Sequence, residues 1–351
     1  MKIKHVIAIV ALGILGASCS DDNDTIKLPE GDYANGILIA NEGPFNNGTG
    51  TISFLQNDST SVQASIYNAV NNEDLGNIVQ SIAFTSDKAF IIANVSNKIT
   101  VVDRYTFEKE ASIETGLSNP RYMVIVDDKG YVTNWGDTGD ETDDYVAIIN
   151  LESNTVEGTI PVVLGPEAIV AKDNYVFVAH QGAFGTNNKV SVIDTDVQDV
   201  VATIAVGDNP SSMQLDASGD LWVLSTGDWG YVNEETTGSL WKINTSNFDV
   251  ENSLVFTGME HPSKLNIDDD KLYYSLSGGV FEMETAATTL PDTAFLTDVY
   301  PYGMVVNDGK LYITDAGDYV SNGSLIIYDI ETVVSLETYT VGISPNGVYF
   351  N

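Results

Sequence analysis

The sequence predicts an all-β fold: a seven-bladed β-propeller whose last blade is closed by a C-terminal inner strand together with N-terminal strands. Three observations carry that prediction. A strand motif, led by Pro in six copies and degenerate in a seventh, recurs at a spacing of about 44 residues. Each copy is followed by further short runs of β-branched and aromatic residues. The two ends of the chain hold complementary parts of one repeat unit. A period of that length, filled by four short strands, is the signature of a propeller blade.

The leading motif is Pro, two variable residues, then alternating apolar residues. It appears as Pro120-Arg121-Tyr122-Met123, Pro166-Glu167-Ala168-Ile169, Pro210-Ser211-Ser212-Met213, Pro262-Ser263-Lys264-Leu265, Pro301-Tyr302-Gly303-Met304 and Pro345-Asn346-Gly347-Val348. Val79-Gln80-Ser81-Ile82 is a degenerate first copy, and from Val79 the steps are 41, 46, 44, 52, 39 and 44 residues. About ten residues after each motif comes a second strand, such as Phe90-Ile91-Ile92-Ala93, Tyr131-Val132-Thr133-Asn134 or Leu221-Trp222-Val223-Leu224. Such runs have strand chemistry. A third strand ends in Asp or Asn, at Asp103, Asn150, Asp194, Asn244 and Asp329, where a short polar side chain suits a turn. A weaker fourth strand closes each unit, as in Val201 to Val206. No long stretch has helical periodicity.

The C-terminal Pro345 to Asn351 supplies only a first strand. The N-terminal part begins with a second strand at Ile37 to Asn41, then a third at Thr51 to Leu55 and a fourth near Val62 to Ile66. The two ends therefore complete one blade between them, and closure removes a free sheet edge. The predicted propeller spans residues 35–351.

The first residues read as an export signal over 1–18. Lys2 and Lys4 precede an apolar run from Val6 to Ala17, too short to span a bilayer. Leu15-Gly16-Ala17-Ser18-Cys19 resembles a lipobox, in which Cys19 is acylated and becomes the first mature residue. The plainer alternative is a free Cys beside a cleavage site. Cys19 is the only Cys of the chain, so a lipidated Cys19 leaves no disulfide, and the fold must hold by burial. The linker, 19–34, opens on Ser20-Asp21-Asp22-Asn23-Asp24. That run resembles the acidic signal that sends Bacteroidota lipoproteins to the outer face of the outer membrane, although a short acidic run is also simply a solvated linker. The expected location is the cell surface, with the membrane reached through the lipid alone.

Fifty acids stand against 15 bases, a formal net charge of -35 at pH 7. That field repels nucleic acid, whose binding rests on Lys and Arg meeting phosphate. The acids are spread along the chain and read as a solvated exterior.

In a propeller the loops leading into the inner strands share a face with the loops joining second and third strands. The position after each repeat Pro should ring the central mouth: Gln80, Arg121, Glu167, Ser211, Ser263, Tyr302 and Asn346. Tyr122 follows Arg121 in the same motif. Polar residues there suit a ligand with many hydrogen-bonding groups, or merely a wet channel. Arg121, with Lys264 and Lys98, is one of the few cations near these positions in an acidic protein. It can pair with Glu167 or grip a ligand phosphate or carboxylate. The second-to-third-strand loops carry Phe45, Trp135, Phe184, Trp229, Tyr231 and Tyr319 among Gly, Asn and Asp. Large rings on such loops favour binding faces; each ring can alternatively fold back over its own blade.

Two acid-rich loops, Asp137 to Asp144 and Asp315 to Asp318, offer oxygens of the kind calcium takes. They lack EF-hand spacing, and a solvated loop is the plainer reading. No metal site or resident cofactor is expected. Only His180 and His261 remain beyond the signal, neither in a nucleophile motif. A metal-dependent lactonase would gather several acids and Asn at the channel, but the mouth ring offers only Glu167 and Asn346. The protein therefore reads as a binder, with a metal-dependent hydrolase or lactonase as the weakest alternative.

Tyr131-Val132-Thr133-Asn134 is a literal YVTN tetrapeptide, and Val190 to Val223 resembles the YVTN-repeat, or YncE-like, propellers. The first loop, Asn41-Glu42-Gly43 with Phe45 and Gly48, on a lipobox and an acidic tail, resembles the surface lipoprotein propellers of Bacteroidota, some of which capture cobalamin for a TonB-dependent transporter. The resemblance implies capture of a nutrient or cofactor, cobalamin-like, and delivery to such a transporter. A propeller for protein interaction or adhesion, using the same face, is the alternative.

Overall fold

A computed structural model describes residues 31–45, 48–231 and 233–351. The predicted signal peptide, Cys19 and the linker up to residue 30 lie outside the described residues. The rest forms seven antiparallel sheets. Their inner strands are Val79–Phe84, Pro120–Val126, Pro166–Lys172, Pro210–Leu215, Ser263–Asp268, Gly303–Asn307 and Pro345–Phe350, which define blades one to seven in that order. Neighbouring inner strands touch all round the ring, and the last, Pro345–Phe350, touches the first, Val79–Phe84. The expected seven-bladed propeller is what the chain forms.

The second strands are apolar on both faces because each blade is packed between two others. One apolar cluster fills each of the seven interfaces. Phe90, Ile92 and Val101 of blade one meet Met123, Val132 and Ile149 of blade two. Tyr131, Val146 and Ile148 on the opposite face of blade two meet Ile169, Val176 and Val178 of blade three. The ring closes where Leu38, Ile52 and Phe54 of blade seven meet Ile82, Ile91 and Val102 of blade one. Each such side chain, fully buried, contributes about 1.5–3 kcal/mol. No single core exists, and the interfaces hold the ring together.

The Asp or Asn ending the third strand in five of the blades does what its chemistry suggests. Asp103 Oδ1 accepts from the Tyr105 and Thr106 amides at 2.9 and 2.7 Å. Asn150, Asp194, Asn244 and Asp329 accept from their own turns in the same way. Four residues on, the chain turns left-handed at Phe107, Asn154, Gln198, Phe248 and Val333.

Blade seven is composite as expected, from Pro345–Phe350, Gly36–Asn41 and Thr51–Gln56. Its fourth strand, expected near Val62 to Ile66, reduces to one bridge between Phe54 and Gln63. Ile66 instead starts a helix, Ile66–Asn71, whose Ile66 and Tyr67 plug the seam between blades seven and one. Asn71 pins that helix: its amide donates to Phe107 O at 2.8 Å, and its Oδ1 accepts from the Lys109 amide at 2.8 Å. Blade five also departs from the pattern. Its fourth strand is only Leu296–Thr297, because Ala287 and Leu290 drop onto the apolar seam against blade four. The insert from Thr226 to Gly238 leaves blade four with its four strands.

Candidate ligand-binding face and channel mouth

In a four-stranded antiparallel blade, the loops from second to third strand and from fourth strand to the next inner strand emerge on one face. Six aromatic side chains are exposed among the described residues: Phe45, Phe184, Trp229, Tyr231, Tyr300 and Tyr319. All six stand on that face. Tyr231 and Phe184 are 88% and 75% exposed, so they do not fold back over their blades. Trp135 does. Its indole N–H donates to Pro166 O of the next blade at 3.0 Å, and its ring carries the Arg121 guanidinium at 4.2 Å. Phe184 stands edge-on to it, with centroids 6.0 Å apart.

Two clefts lie between five of these rings, and Phe45 stands apart from both. One, of about 360 Å³, is lined by Phe184, Trp229 and Tyr231 over a polar floor. In that floor Asp228 accepts from Thr186 Oγ1 at 2.5 Å and Asn233 Nδ2 at 3.1 Å. The Thr186 hydroxyl, the Gly230 amide and Asn233 hold the Asp228 carboxyl below its usual range. The other, of about 380 Å³, is lined by His261, Ser263, Tyr300, Tyr302 and Tyr319. Trp229 and His261 stack at 3.8 Å and form the partition between the clefts. His261 is fixed in turn by Thr226 O at 3.0 Å and Glu235 Oε1 at 3.2 Å.

Below them the inner strands begin at the channel mouth. Gln80 Nε2 donates to the Tyr122 hydroxyl across a blade boundary at 3.1 Å. Arg121 grips Glu167 through two bonds, Nε to Oε2 and Nη2 to Oε1, both 2.8 Å. Of the two roles open to Arg121, the ion pair is the one formed. Ser211 turns to its own blade, 2.8 Å from Thr226 Oγ1. Burial pushes the Tyr122 phenol up to about 12.

Glu42 is the mouth residue that the repeat spacing does not single out, because it follows a second strand and no repeat Pro precedes it. The buried Asn41 beside it donates to Thr51 O and Ser53 Oγ, each at 3.1 Å, and the Glu42 amide donates to Ser344 O at 3.0 Å. Its carboxylate thereby meets the Tyr302 hydroxyl at 2.9 Å and Asn346 Nδ2 at 3.2 Å. Burial raises the Glu42 carboxyl above the usual range, against the hydrogen bonds from Tyr302 and Asn346. Gly303 makes the crowding possible: a Cβ there would lie 2.6 Å from Asn346 O. Tyr300, His261 and Lys264 were also outside the expected site. Tyr300 carried a signal, since it directly precedes a repeat Pro.

Several carboxylates of the acid-rich loops are spent within the loops, while Asp144 accepts from the Gly165 amide. Asp140 accepts from Thr142 N and Oγ1, and Asp318 from the amides of Val320 and Ser321. Among the described residues no three His, Cys, Asp or Glu side chains are grouped to hold a metal ion. His180 is fully buried, 2.8 Å from Ser191 Oγ, and burial pushes its imidazole down to about 4.

Fold and site together define a seven-bladed β-propeller with one aromatic loop face over a polar, charge-bearing channel mouth. Residues 35–275, more than half of the chain, match the family described as Domain of unknown function (DUF5074), and the chain belongs to that family. No curated protein matches it. Among solved structures it is similar to a quinoprotein alcohol dehydrogenase-like protein from Bacteroides thetaiotaomicron, with TM-score 0.66 and 16% identity over 91% of this chain and 78% of that one. It is also similar to hydrazine synthase of Kuenenia stuttgartiensis, with TM-score 0.58 and 19% identity over 77% and 91%. A third is the dihydro-heme d1 dehydrogenase NirN in complex with DHE, with TM-score 0.54 and 13% identity over 92% and 76%. At these identities the likeness is one of fold.

Proposed function

We propose that this protein is a lipid-anchored, surface-exposed binder that captures a nutrient or cofactor of cobalamin type and passes it to a TonB-dependent transporter. The observation that carries the reading is the gathering on one face of the six exposed rings of the described residues, five of which line two clefts divided by the Trp229–His261 stack. Rigid rings supply contact area at little entropic cost, and the Asp228, Thr186 and Asn233 floor supplies polar partners for an amide-rich rim. NirN, similar in fold, was solved with a ligand bound. Binding is favoured over catalysis because the buried His180 pairs with an equally buried Ser191 and His261 is occupied by its stack.

The test is calorimetric titration of the full chain in detergent with cyanocobalamin. Tight one-to-one binding, weakened at least 100-fold by Trp229→Ala, is expected. Absence of heat at micromolar protein would sink the cobalamin reading. Anchoring is tested separately: labelled palmitate should enter the wild-type chain in cells and not Cys19→Ser.

A further inference from the structure

Two cations face the channel mouth among the described residues, and their surroundings differ. Arg121 is matched by Glu167 and shielded by Trp135. Lys264 lies inside the mouth, with its ammonium 5.8 Å from the centre of the Tyr302 ring. Among the described residues no carboxylate comes within 4 Å of it, and its ammonium makes no hydrogen bond. Glu42 and Glu167 act on it only through space, and burial pulls it below the usual lysine range. The two carboxylates are already taken: Glu167 by Arg121, and Glu42 by Tyr302 and Asn346.

The backbone that aims Lys264 is also unusual. In blades one, two, three, four and seven a left-handed residue stands just before the inner strand, at Ile78, Asn119, Gly165, Asn209 and Ser344. In blade five it stands within the strand, at Lys264 itself, with φ +60°. The pairing register breaks there, between Ser263 and Asn266, as it also does at the head of the inner strand in blades one to four; only the left-handed residue has moved into the strand. Buried Asn266 holds the break: its amide donates to Lys264 O at 3.1 Å and Met304 O at 3.0 Å, and its Oδ1 accepts from the Val306 amide at 3.2 Å. A left-handed backbone at a lysine, an unpartnered ammonium and a dedicated support point to function more readily than to folding.

We propose that Lys264 binds an oxyanion of the ligand, a carboxylate or a phosphate group, at the channel mouth. Lys264 is half-buried, and an ammonium with three free donors at the mouth is completed by such a group through charge-assisted hydrogen bonds. The net charge of -35 opposes polyanions. The ligand is therefore one whose single anionic group goes to Lys264 while an uncharged body lies on the aromatic clefts. This deepens the binding reading above and rests on it, but its test does not depend on cobalamin.

The full chain, labelled with ¹³Cε-lysine and held in detergent, is titrated with sodium phosphate and with sodium acetate against sodium chloride at matched ionic strength. One lysine resonance, missing from Lys264→Met, should shift saturably with phosphate or acetate. The others should drift only as in chloride. Saturation by phosphate alone assigns a phosphoryl group, and saturation by acetate assigns a carboxylate. Lys264→Arg should keep saturable binding, read as backbone amide shifts around Asn266, and Lys264→Met should unfold at no lower temperature than the wild type. Shifts no larger than those in chloride for both anions would overturn the proposal. So would a lowered melting temperature in Lys264→Met without any anion effect, which makes Lys264 a structural residue. Missing cyanocobalamin heat with an intact anion shift would overturn only the cobalamin reading.

Discussion

The Arg121–Glu167 pair offers the sharpest quantitative test. Its side chains are 14% and 7% exposed, and two bonds of 2.8 Å join them. Removing the arginine strands a carboxylate whose remaining surroundings are an inner strand and a blade seam. Breaking a buried pair on one side costs about 3–5 kcal/mol, whereas replacing both partners by apolar groups of similar size is close to neutral. Arg121→Met should therefore destabilise by about 3–5 kcal/mol, with loss of the Trp135 cation–π contact included, and Glu167→Leu by a similar amount. The double variant should lose no more than about 2 kcal/mol. At roughly 2 °C per kcal/mol for a chain of this size, each single variant should melt 6–10 °C lower. Urea unfolding read by tryptophan fluorescence closes the four corners of the cycle. A coupling of at least 3 kcal/mol is expected. Additivity of the two single losses within about 0.5 kcal/mol would refute the reasoning, because the pair would then be solvated and energetically idle.

Three further outcomes follow from the same structure. Asp144 is buried, accepts from the Gly165 amide, and is raised by burial to about 6. The folded state thus holds a proton that the unfolded chain has released, and stability falls as pH rises from about 4 to 6. Asp144→Asn should accordingly be more stable than wild type by about 1–3 kcal/mol at pH 7.5 and no more stable at pH 4, by urea unfolding. His180 acts in the opposite sense: its imidazole is depressed to about 4, so up to about 3 kcal/mol of stability is lost as pH falls from 6.5 to 4. The two slopes offset each other between pH 4 and 6 in the wild type, and Asp144→Asn should uncover a stability that climbs with pH across that window. Asn351 clasps the ring closure. It accepts from Arg104 Nε at 2.6 Å and donates to Tyr33 O and Arg104 O at 2.6 and 2.9 Å. Asn351→Ala should cost about 2–3 kcal/mol and leave cyanocobalamin titration unchanged; an unchanged urea midpoint would count against the clasp.

The architecture was legible because a blade is a local object. Its four strands, its turn-forming Asp or Asn and its leading Pro all lie within about 44 consecutive residues, and repetition turns a weak local signal into a firm one. The composite blade was legible for the same reason, since each end carries the strands the other lacks. The misses fell where a side chain had a choice between its own sheet and a neighbouring seam. Ile66, needed between blades, left the expected fourth strand for a helix, and in blade five Leu290 packs on the seam while the fourth strand shrinks to Leu296–Thr297.

At the candidate site the sequence determined composition, and the tertiary structure decided pairing. The repeat motif marked Gln80, Arg121, Glu167, Tyr302 and Asn346 as neighbours of the channel. It offered Arg121 either Glu167 or a ligand oxyanion and could not choose between them, because Arg121 and Glu167 stand 46 apart and meet only through the angle between adjacent blades. Nor could it bring in Glu42, which reaches the mouth from the far end of the chain, 260 residues from Tyr302. Lys264, counted from sequence only as a cation near the mouth, lies one position past the ring of expected residues, on a left-handed backbone held by Asn266. Period and chemistry are properties of consecutive residues and survive in the sequence. Which charge is matched and which is left free depends on distances of a few ångströms between distant segments, and those exist only once the ring has closed.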